Sequence, residues 1–367
     1  MKSTSSQTPT TIRLLRLAFL AALFLQVTNP AAAQAQTSAQ TAQAITASTP
    51  MDQTIAPLLY LASDRLKGRF AGRPEADTAA QYIANEFHAA SAKTLPGTPT
   101  YFQLFTKHFN ANALDSGSAP TDMKLRNVLA YIPGSDPALK DQYILLSSHY
   151  DHLGVTSHPV IEEGKLDSIY NGARDNASGT AAVIDAARYF GKHPAKRSIL
   201  LICYTAEEEG LIGSEWYAEH PVLALNKVVY NLNIDNASYD DTTLLTLVGL
   251  GRTSEDSIII AAAKTYNFTV NNDPTGGQLF FESDNAPLAT HGIPAPTYSM
   301  GMRAMDSTIF NRYHRLSDET GNMDMNYVLR WVRTYILAAD WIANQPTQPT
   351  WTKGDQYEKA WHTLYGK

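Results

Sequence analysis

The segment "YILLSSHYD" at residues 143–151 decides the fold class. Its apolar residues follow one another without the polar alternation of a strand that faces water on one side. Such a run is typical of a strand covered on both faces. The segment then ends in polar side chains. Further apolar runs lie at residues 125–134, 199–204, 228–234 and 244–250.

Helical patterns alternate with these apolar runs. They occupy residues 75–90, 178–190, 255–266 and 325–343. Alternating strands and helices predict an α/β domain whose parallel or mixed sheet carries helices on both faces. Only a turn around residues 134–137 separates two of the apolar runs, at 125–134 and 143–151. We therefore predict that these two runs are neighbouring strands.

Side chains that bind metals follow the predicted strands or lie in the loops beside them. Taken singly, each has an ordinary structural interpretation, such as a solvated helix start or a hydrogen-bonded histidine at a strand end. Ligands of such sheets bind where the strands end, so the whole set predicts a functional site there. The set comprises His149, Asp151, Asp175, Glu207, Glu208, Glu209, Asp235 and His314.

Five segments in this order resemble the zinc aminopeptidases of peptidase family M28. They are "SSHYDHLG", "IYNGARDNASGTAAV", "TAEEEGLIGS", "NLNIDNAS" and "YHRLSD", within residues 140–320. The resemblance implies a phosphorylase/hydrolase-like three-layer α/β sandwich with a mixed, mainly parallel central sheet. The short interval between residues 134 and 143 leaves no room for the protease-associated domain that some relatives carry there.

The resemblance also implies two zinc ions per chain. Asp175 would bridge both ions, and a bridging carboxylate lowers the repulsion between two dications. The other ligands would be His149 and Asp235 at one ion, and Glu208 and His314 at the other. Imidazole nitrogen and carboxylate oxygen are suitable zinc donors. The family commonly has a cis peptide bond after the bridging residue, here Asp175–Asn176.

The resemblance assigns catalysis to Glu207 as the general base, which would take a proton from zinc-bound water so that the hydroxide attacks the peptide carbonyl. Asp151 lies two residues after His149, on the same face of a strand. We therefore predict that Asp151 accepts the ring N–H of His149. Asp318 would serve His314 in the same way or be an ordinary loop acid. His152 and His158 match no ligand role and are expected to support the ligands from behind or to lie on the surface.

Arg174 departs from the family pattern, since many relatives have an acidic residue at this position. A cation this close to two zinc ions would be repelled unless its side chain pointed away. We therefore expect Arg174 to turn outward or to pair with Glu162, Glu163 or Asp167.

The segment "GGQLFFESDNAPLATHG" at residues 276–292 resembles the family's specificity loop. Phe280 and Phe281 would line an apolar pocket for the first side chain of the substrate, or be ordinary core residues. The same two alternatives apply to the methionines of the segment "TYSMGMRAMD". These are Met300, Met302 and Met305.

The beginning of the chain predicts export. Residues 1–35 combine three basic residues, an apolar run and small residues suited to signal-peptidase cleavage, so we interpret them as a signal peptide. The apolar run is too short for a comfortable membrane span, and we expect no stable membrane insertion after its removal. A periplasmic or secreted bacterial protein would result.

The remaining chain is predicted as a flexible segment at 36–50, one peptidase domain at 51–345 and a tail at 346–367 with a short helix at 355–365. Removal of the signal peptide would shift the formal charge from −6 to about −9, since it takes three basic and no acidic residues. Nucleic acid is therefore excluded as a partner. Cys203 is the only cysteine, so no internal disulfide can form.

Peptides with a free N-terminus are the expected substrates, and three alternatives compete with this aminopeptidase hypothesis. A carboxypeptidase on the same fold would share the metal ligands. A glutaminyl cyclase would use one zinc ion, and the presence of both His149 and Asp235 argues against it. An interaction module that has lost its metals would lack ligands, whereas all five are present.

Overall fold

The apolar runs of the sequence join into one eight-stranded sheet. Its strand order is β1-β2-β6-β3-β7-β10-β8-β9. Four neighbouring pairs are parallel, including both pairs made by β3, and three pairs are antiparallel. The predicted α/β class with a mixed, mainly parallel sheet is confirmed. The strands are β1 (Phe102–Phe109), β2 (Thr121–Ile132), β3 (Tyr143–His149), β6 (Ser198–Tyr204), β7 (Val228–Ile234), β8 (Leu244–Val248), β9 (Thr269–Asn271) and β10 (Thr297–Met300).

The predicted pairing of residues 125–134 with residues 143–151 is wrong. Strand β6 lies between β2 and β3, antiparallel to β2 and parallel to β3. A parallel neighbour requires a crossover, and the helix between β3 and β6 supplies it. A separate hairpin, β4 (Val155–Glu162) and β5 (Lys165–Ile169), lies outside the main sheet.

Helices cover both faces of the sheet. Alternate residues of β3 belong to different cores: Ile144 and Leu146 pack into a cluster with α4 and α9, whereas Leu145 packs into a cluster with α5, α7 and α10. The helices are α1 (Pro30–Ser48), α2 (Met51–Leu61), α3 (Pro74–Ala89), α4 (Gly179–Lys192), α5 (Ile212–Glu219), α6 (Asp256–Thr265), α7 (Asn285–Thr290), α8 (Ser307–Phe310), α9 (Met325–Asn344) and α10 (Glu358–Tyr365). Short helical turns occupy Asp64–Arg69, Ala173–Ser178, Leu225–Lys227, Leu279–Phe281 and Thr320–Asn322.

The computed structural model describes residues 1, 30–109, 121–162 and 165–367. It divides into two compact units, Met1–Thr41 and Ala42–Lys367. Most of the predicted signal peptide, residues 2–29, lies outside the described residues. Helix α1 replaces the flexible segment expected at residues 36–50, because its alanine-rich sequence favours helix. Within the second unit Ile45 is fully buried.

The C-terminal tail belongs to the second unit. Trp351 and Trp361 are buried in the same cluster as α5 and α7. The predicted helix at 355–365 begins three residues later, at Glu358. Among the described residues, no helix combines the length and apolarity needed to span a membrane.

Candidate metal centre

The carboxyl ends of three adjacent parallel strands position most of the predicted site. His149 is the last residue of β3, Glu207 and Glu208 follow β6, and Asp235 follows β7. Asp175 lies in the turn Ala173–Ser178 directly before α4. Because parallel strands end at the same edge of the sheet, these side chains converge. His314 joins them from the loop that follows α8.

Asp175 contacts two different groups of donors, one through each carboxylate oxygen. Its Oδ1 atom lies 3.2 Å from His149 Nε2, which lies 3.1 Å from Asp235 Oδ1. Its Oδ2 atom lies 3.1 Å from His314 Nε2, which lies 3.0 Å from Glu208 Oε2. We call His149, Asp175 and Asp235 the first donor set, and Asp175, Glu208 and His314 the second donor set.

Both donor sets fit zinc in their chemistry, and the four contacts given above fit it in spacing. Zinc binds imidazole nitrogen and carboxylate oxygen at about 2.0–2.2 Å with tetrahedral geometry, so neighbouring donors should lie about 3.3–3.5 Å apart. The separations of 3.0–3.2 Å within the two sets are close to this value. The three donor atoms of the first set also all lie within 4.8 Å of one another.

Opposite charges dominate the electrostatics of the two sets. Burial alone would lower the pKa of His149, but the carboxylates of Glu207 and Asp235 raise it well above its ordinary value. Burial is likewise outweighed at His314, where Asp175 and Glu208 raise the pKa to about 10. Burial would raise the pKa of Asp175, yet hydrogen bonds from the two histidines hold it well below its usual range. The acidic side chains therefore attract positive charge strongly.

Glu207 is held apart from the donors. Its Oε2 atom lies 4.0 Å from His149 Nε2, and its side chain is 11% exposed. Burial and the carboxylates of Asp235 and Glu208 raise the pKa of Glu207 well above its ordinary value. A carboxyl group with a raised pKa is suited to accept and return a proton near neutral pH.

Asp151 does not bind the ring of His149. The two side chains approach only to 3.9 Å, beyond hydrogen-bond distance, so this prediction is wrong. Asp151 instead accepts the backbone N–H groups of Glu207 at 3.2 Å and of Glu208 at 3.3 Å. These amides occupy both oxygens of the carboxylate. Asp151 therefore fixes the loop that carries both glutamates.

Arg174 pairs with Asp318, which the sequence did not predict. Its Nη1 atom donates to Asp318 Oδ1 at 3.0 Å, and its guanidinium lies over the Tyr239 ring at 5.2 Å. Asp318 also accepts the backbone N–H of Asp175 at 3.1 Å. The cation is thus neutralised by a buried acid. Of the expected partners, Glu163 and the Glu162 side chain lie outside the described residues.

Asp167 was the third expected partner of Arg174, and its carboxylate accepts the backbone N–H of Ile169 instead. Asp318 was expected to orient His314 or to be an ordinary loop acid, and its carboxylate accepts from the Arg174 side chain and from the backbone N–H groups of Arg174 and Asp175.

Two further polar residues contact the donors, and the sequence analysis assigned neither of them a specific contact. His152 is buried, and its Nδ1 atom lies 2.6 Å from Glu208 Oε1. This distance is a charge-assisted hydrogen bond rather than the spacing of two zinc donors, so His152 orients Glu208. Ser283 donates to Asp235 Oδ2 at 2.5 Å and orients that carboxylate in the same way. In the sequence, the position of His152 directly after Asp151 was the signal that could have indicated a role at the site. His158 lies exposed on β4.

The backbone beside Asp175 has the form that the family resemblance implied. The Asp175–Asn176 peptide bond is cis. Helix α4 begins directly after this turn, and a Cβ atom at Gly179 would lie 2.2 Å from Asn176 Oδ1. Only glycine therefore permits this close approach.

A cavity of about 220 Å3 opens on the candidate donors, and we call it the catalytic cavity. Asp175, Glu207, Asp235 and His314 line it together with an apolar wall. The wall consists of Val248, Leu279, Met302, Met305 and Phe310.

Two of the predicted methionines, Met302 and Met305, therefore line the catalytic cavity, whereas Met300 is fully buried. Phe280 is a core residue under the guanidinium of Arg252, and Phe281 is 53% exposed.

A family model describes the larger part of the chain. The model of peptidase family M28 matches residues 127–339. The chain belongs to peptidase family M28. All five donors of the two sets lie within the matched M28 region.

Relatives of this M28 chain include peptidases from bacteria and yeasts. Aminopeptidase YwaD of Bacillus subtilis is 31% identical over 161 residues, which are 42% of this chain and 33% of the relative. A vacuolar membrane protease of Vanderwaltozyma polyspora is 24% identical over 244 residues, which are 65% of this chain and 23% of the relative. The M28 chain thus spans about a third or less of the length of these curated relatives.

Solved structures share the fold of this M28 chain. An aminopeptidase from Aneurinibacillus sp. strain AM-1 superposes with a TM-score of 0.60 at 15% identity, covering 84% of this chain and 97% of the other. A glutaminyl cyclase from Porphyromonas gingivalis superposes with a TM-score of 0.58 at 16% identity, covering 80% of this chain and 98% of the other.

Proposed function

We propose that this M28 chain is a co-catalytic di-zinc aminopeptidase that removes single residues from the free N-terminus of peptides. One observation carries the proposal: the two carboxylate oxygens of Asp175 contact two separate donor sets. A carboxylate shared in this way is suited to bridge two dications. The spacing and donor chemistry of both sets support zinc.

The donor residues have distinct roles in this proposal. His149 and Asp235 would hold one ion, Glu208 and His314 the other, and Asp175 both. Zinc bound there would lower the pKa of its water and polarise the peptide carbonyl. Asp151 positions the glutamates through their backbone amides. His152 holds Glu208 through its second oxygen.

Glu207 is the proposed general base. It lines the catalytic cavity beside the donors, and its Oε2 atom lies 4.0 Å from His149 Nε2, beyond hydrogen-bond distance. The carboxylate takes a proton from the attacking water and returns it to the amine of the leaving peptide. A positioned acid–base group contributes about 10²–10⁴-fold to a rate.

The catalytic cavity suits the N-terminal residue of a peptide. Its carboxylates attract a protonated amine, and its wall of Met302, Met305 and Phe310 suits an apolar side chain. We further infer export to the periplasm or beyond, on the basis of the basic and apolar pattern in residues 1–35.

Cleavage of one peptide set tests this function. The set carries free, acetylated or glutaminyl N-termini and is assayed with zinc and after chelation. We expect zinc-dependent release of single residues from free N-termini only. Cleavage of acetylated peptides at the same rate as free peptides would contradict the proposal and indicate a carboxypeptidase or an endopeptidase. Ammonia release from glutaminyl peptides without cleavage would instead identify a glutaminyl cyclase, whose fold this chain shares.

A further inference from the structure

A second cavity of about 440 Å3 lies between the β4–β5 hairpin and the loop that carries His314. We call it the hairpin cavity. The hairpin contributes His158, Val160 and Ile161, and the loop contributes Asn311, Arg315 and Leu316. No metal donor of either set is among its lining residues in the described part of the chain.

The hairpin cavity and the catalytic cavity share one wall. Phe310 and His314 line the catalytic cavity, while the next residues, Asn311 and Arg315, line the hairpin cavity. Consecutive Cα atoms are about 3.8 Å apart, so the residues that line the two cavities are direct neighbours in this segment. A peptide that runs past His314 therefore reaches Arg315 within about two residues, since an extended dipeptide spans about 7 Å.

The hairpin cavity combines positive charge with exposed apolar surface. The Arg315 side chain donates through Nε to the carbonyl oxygen of Phe310 at 3.2 Å and, among the described residues, forms no ion pair with a carboxylate. The described lining residues include no acidic side chain. Val160 is 48% and Ile161 77% exposed. In a chain of net charge −6, this surface is complementary to an apolar group that bears a carboxylate.

We propose that the hairpin cavity binds the leaving part of a short peptide, with Arg315 pairing with its carboxyl-terminal carboxylate and Val160 and Ile161 contacting its apolar side chains. The inference rests on the proposed function, because the peptide must begin in the catalytic cavity. It narrows the substrate class to short peptides of about two to four residues with an unblocked C-terminus. Longer peptides would carry their carboxylate beyond the reach of Arg315.

Kinetics with matched peptides test the role of Arg315. The substrates are Leu-Gly-Leu as the free acid, the same tripeptide as the C-terminal amide, and leucine p-nitroanilide. We expect the wild-type protein to prefer the acid over the amide by about tenfold in kcat/KM, chiefly through KM, which corresponds to about 1.4 kcal/mol. The Arg315→Gln variant should reduce this ratio to about one.

Arg303→Gln is the matched control, because Arg303 is an exposed arginine that pairs with Asp241 and lines neither cavity. This variant should keep the tenfold ratio. If it loses the ratio as Arg315→Gln does, the preference reflects overall charge and the inference is wrong. Ile161→Ser should remove a preference for leucine over glycine at the last position, and an unchanged preference would refute the apolar contact.

Two further outcomes separate the possible failures. If the wild-type protein hydrolyses the anilide but cuts acid and amide equally, only the inference about the hairpin cavity fails. If it hydrolyses neither the anilide nor the peptides, the proposed function fails. A tetrapeptide amide with glutamate at its third position provides a side-chain carboxylate. If the protein cleaves this amide as fast as Leu-Gly-Leu free acid, the assignment of Arg315 to the C-terminal carboxylate is wrong.

Discussion

Arg69 joins segments that lie beside the candidate metal centre, and its replacement by methionine should destabilise the protein. Arg69 is 1% exposed, and its guanidinium donates to four backbone carbonyls. Tyr150 lies between His149 and Asp151, and its carbonyl accepts at 2.8 Å. The other acceptors are Leu61 at 2.5 Å, Asn171 at 2.7 Å and Gly172 at 3.1 Å.

The size of the effect follows from these four bonds. A hydrogen bond to a charged group contributes roughly 1.5–3 kcal/mol, so four bonds at the lower figure would give about 6 kcal/mol. Bonds made by one side chain are not additive, and methionine keeps most of the apolar stem. We therefore expect Arg69→Met to lower the free energy of unfolding by about 4 kcal/mol.

Urea unfolding followed by tryptophan fluorescence would measure this loss. A chelator in every sample prevents metal binding from adding to the measured stability. Arg65→Met is the matched control in the same segment, because Arg65 is exposed and its guanidinium lies over the Tyr60 ring at 5.8 Å. We expect this control to change stability by less than about 1 kcal/mol. A loss below 1 kcal/mol for Arg69→Met would refute the reasoning.

Three further predictions concern the other acidic groups. Glu207→Gln should lower kcat by about 10²–10⁴-fold while bound zinc is unchanged, and Glu209→Gln is its control; near-normal turnover would rule out the base assignment. Asp151→Asn leaves one carbonyl acceptor for two backbone amides and should weaken zinc binding about 10–100-fold in a chelator competition, and unchanged affinity would contradict this role. Burial raises the pKa of Asp185 from 3.8 to about 7, and Arg188 offsets this shift only in part. The contribution of Asp185 to the stability of the protein is therefore complete below pH 3.8 and is lost as the pH rises to 7. Asp185→Asn should therefore gain stability relative to wild type between pH 4 and 7, by on the order of 4 kcal/mol in urea unfolding, and a difference independent of pH would contradict the burial argument.

The sequence predicted the strands well because apolar runs are local patterns, and it named side chains that the structure brings together at the strand ends. Strand β7 was predicted at the residues that form it, and β3 and β6 differ by at most two residues at either end. The sequence could not predict that β6 separates β2 from β3. Strand order depends on the packing of side chains far apart in the chain, and neighbouring runs in the sequence suggest the wrong pair.

The contacts behind the metal donors were harder to predict. The same-face expectation for His149 and Asp151 requires both residues to lie on a strand, but β3 ends at His149. It also did not reveal that backbone amides of another loop would occupy the Asp151 carboxylate. The partner of Arg174 lies 144 residues away in the chain, at Asp318. Arg69 carries no sequence signal of its own, because its four acceptors are backbone carbonyls that every residue possesses.

The number of zinc ions bound per chain tests the central claim most directly. The purified protein would be dialysed against micromolar zinc and then against metal-free buffer, and its zinc measured by elemental analysis. We predict two zinc ions per chain in the wild-type protein and a loss of both in Asp175→Ala, because both donor sets share this carboxylate. A wild-type protein that holds one ion or none, or a variant that still holds two, would contradict the bridged di-zinc centre.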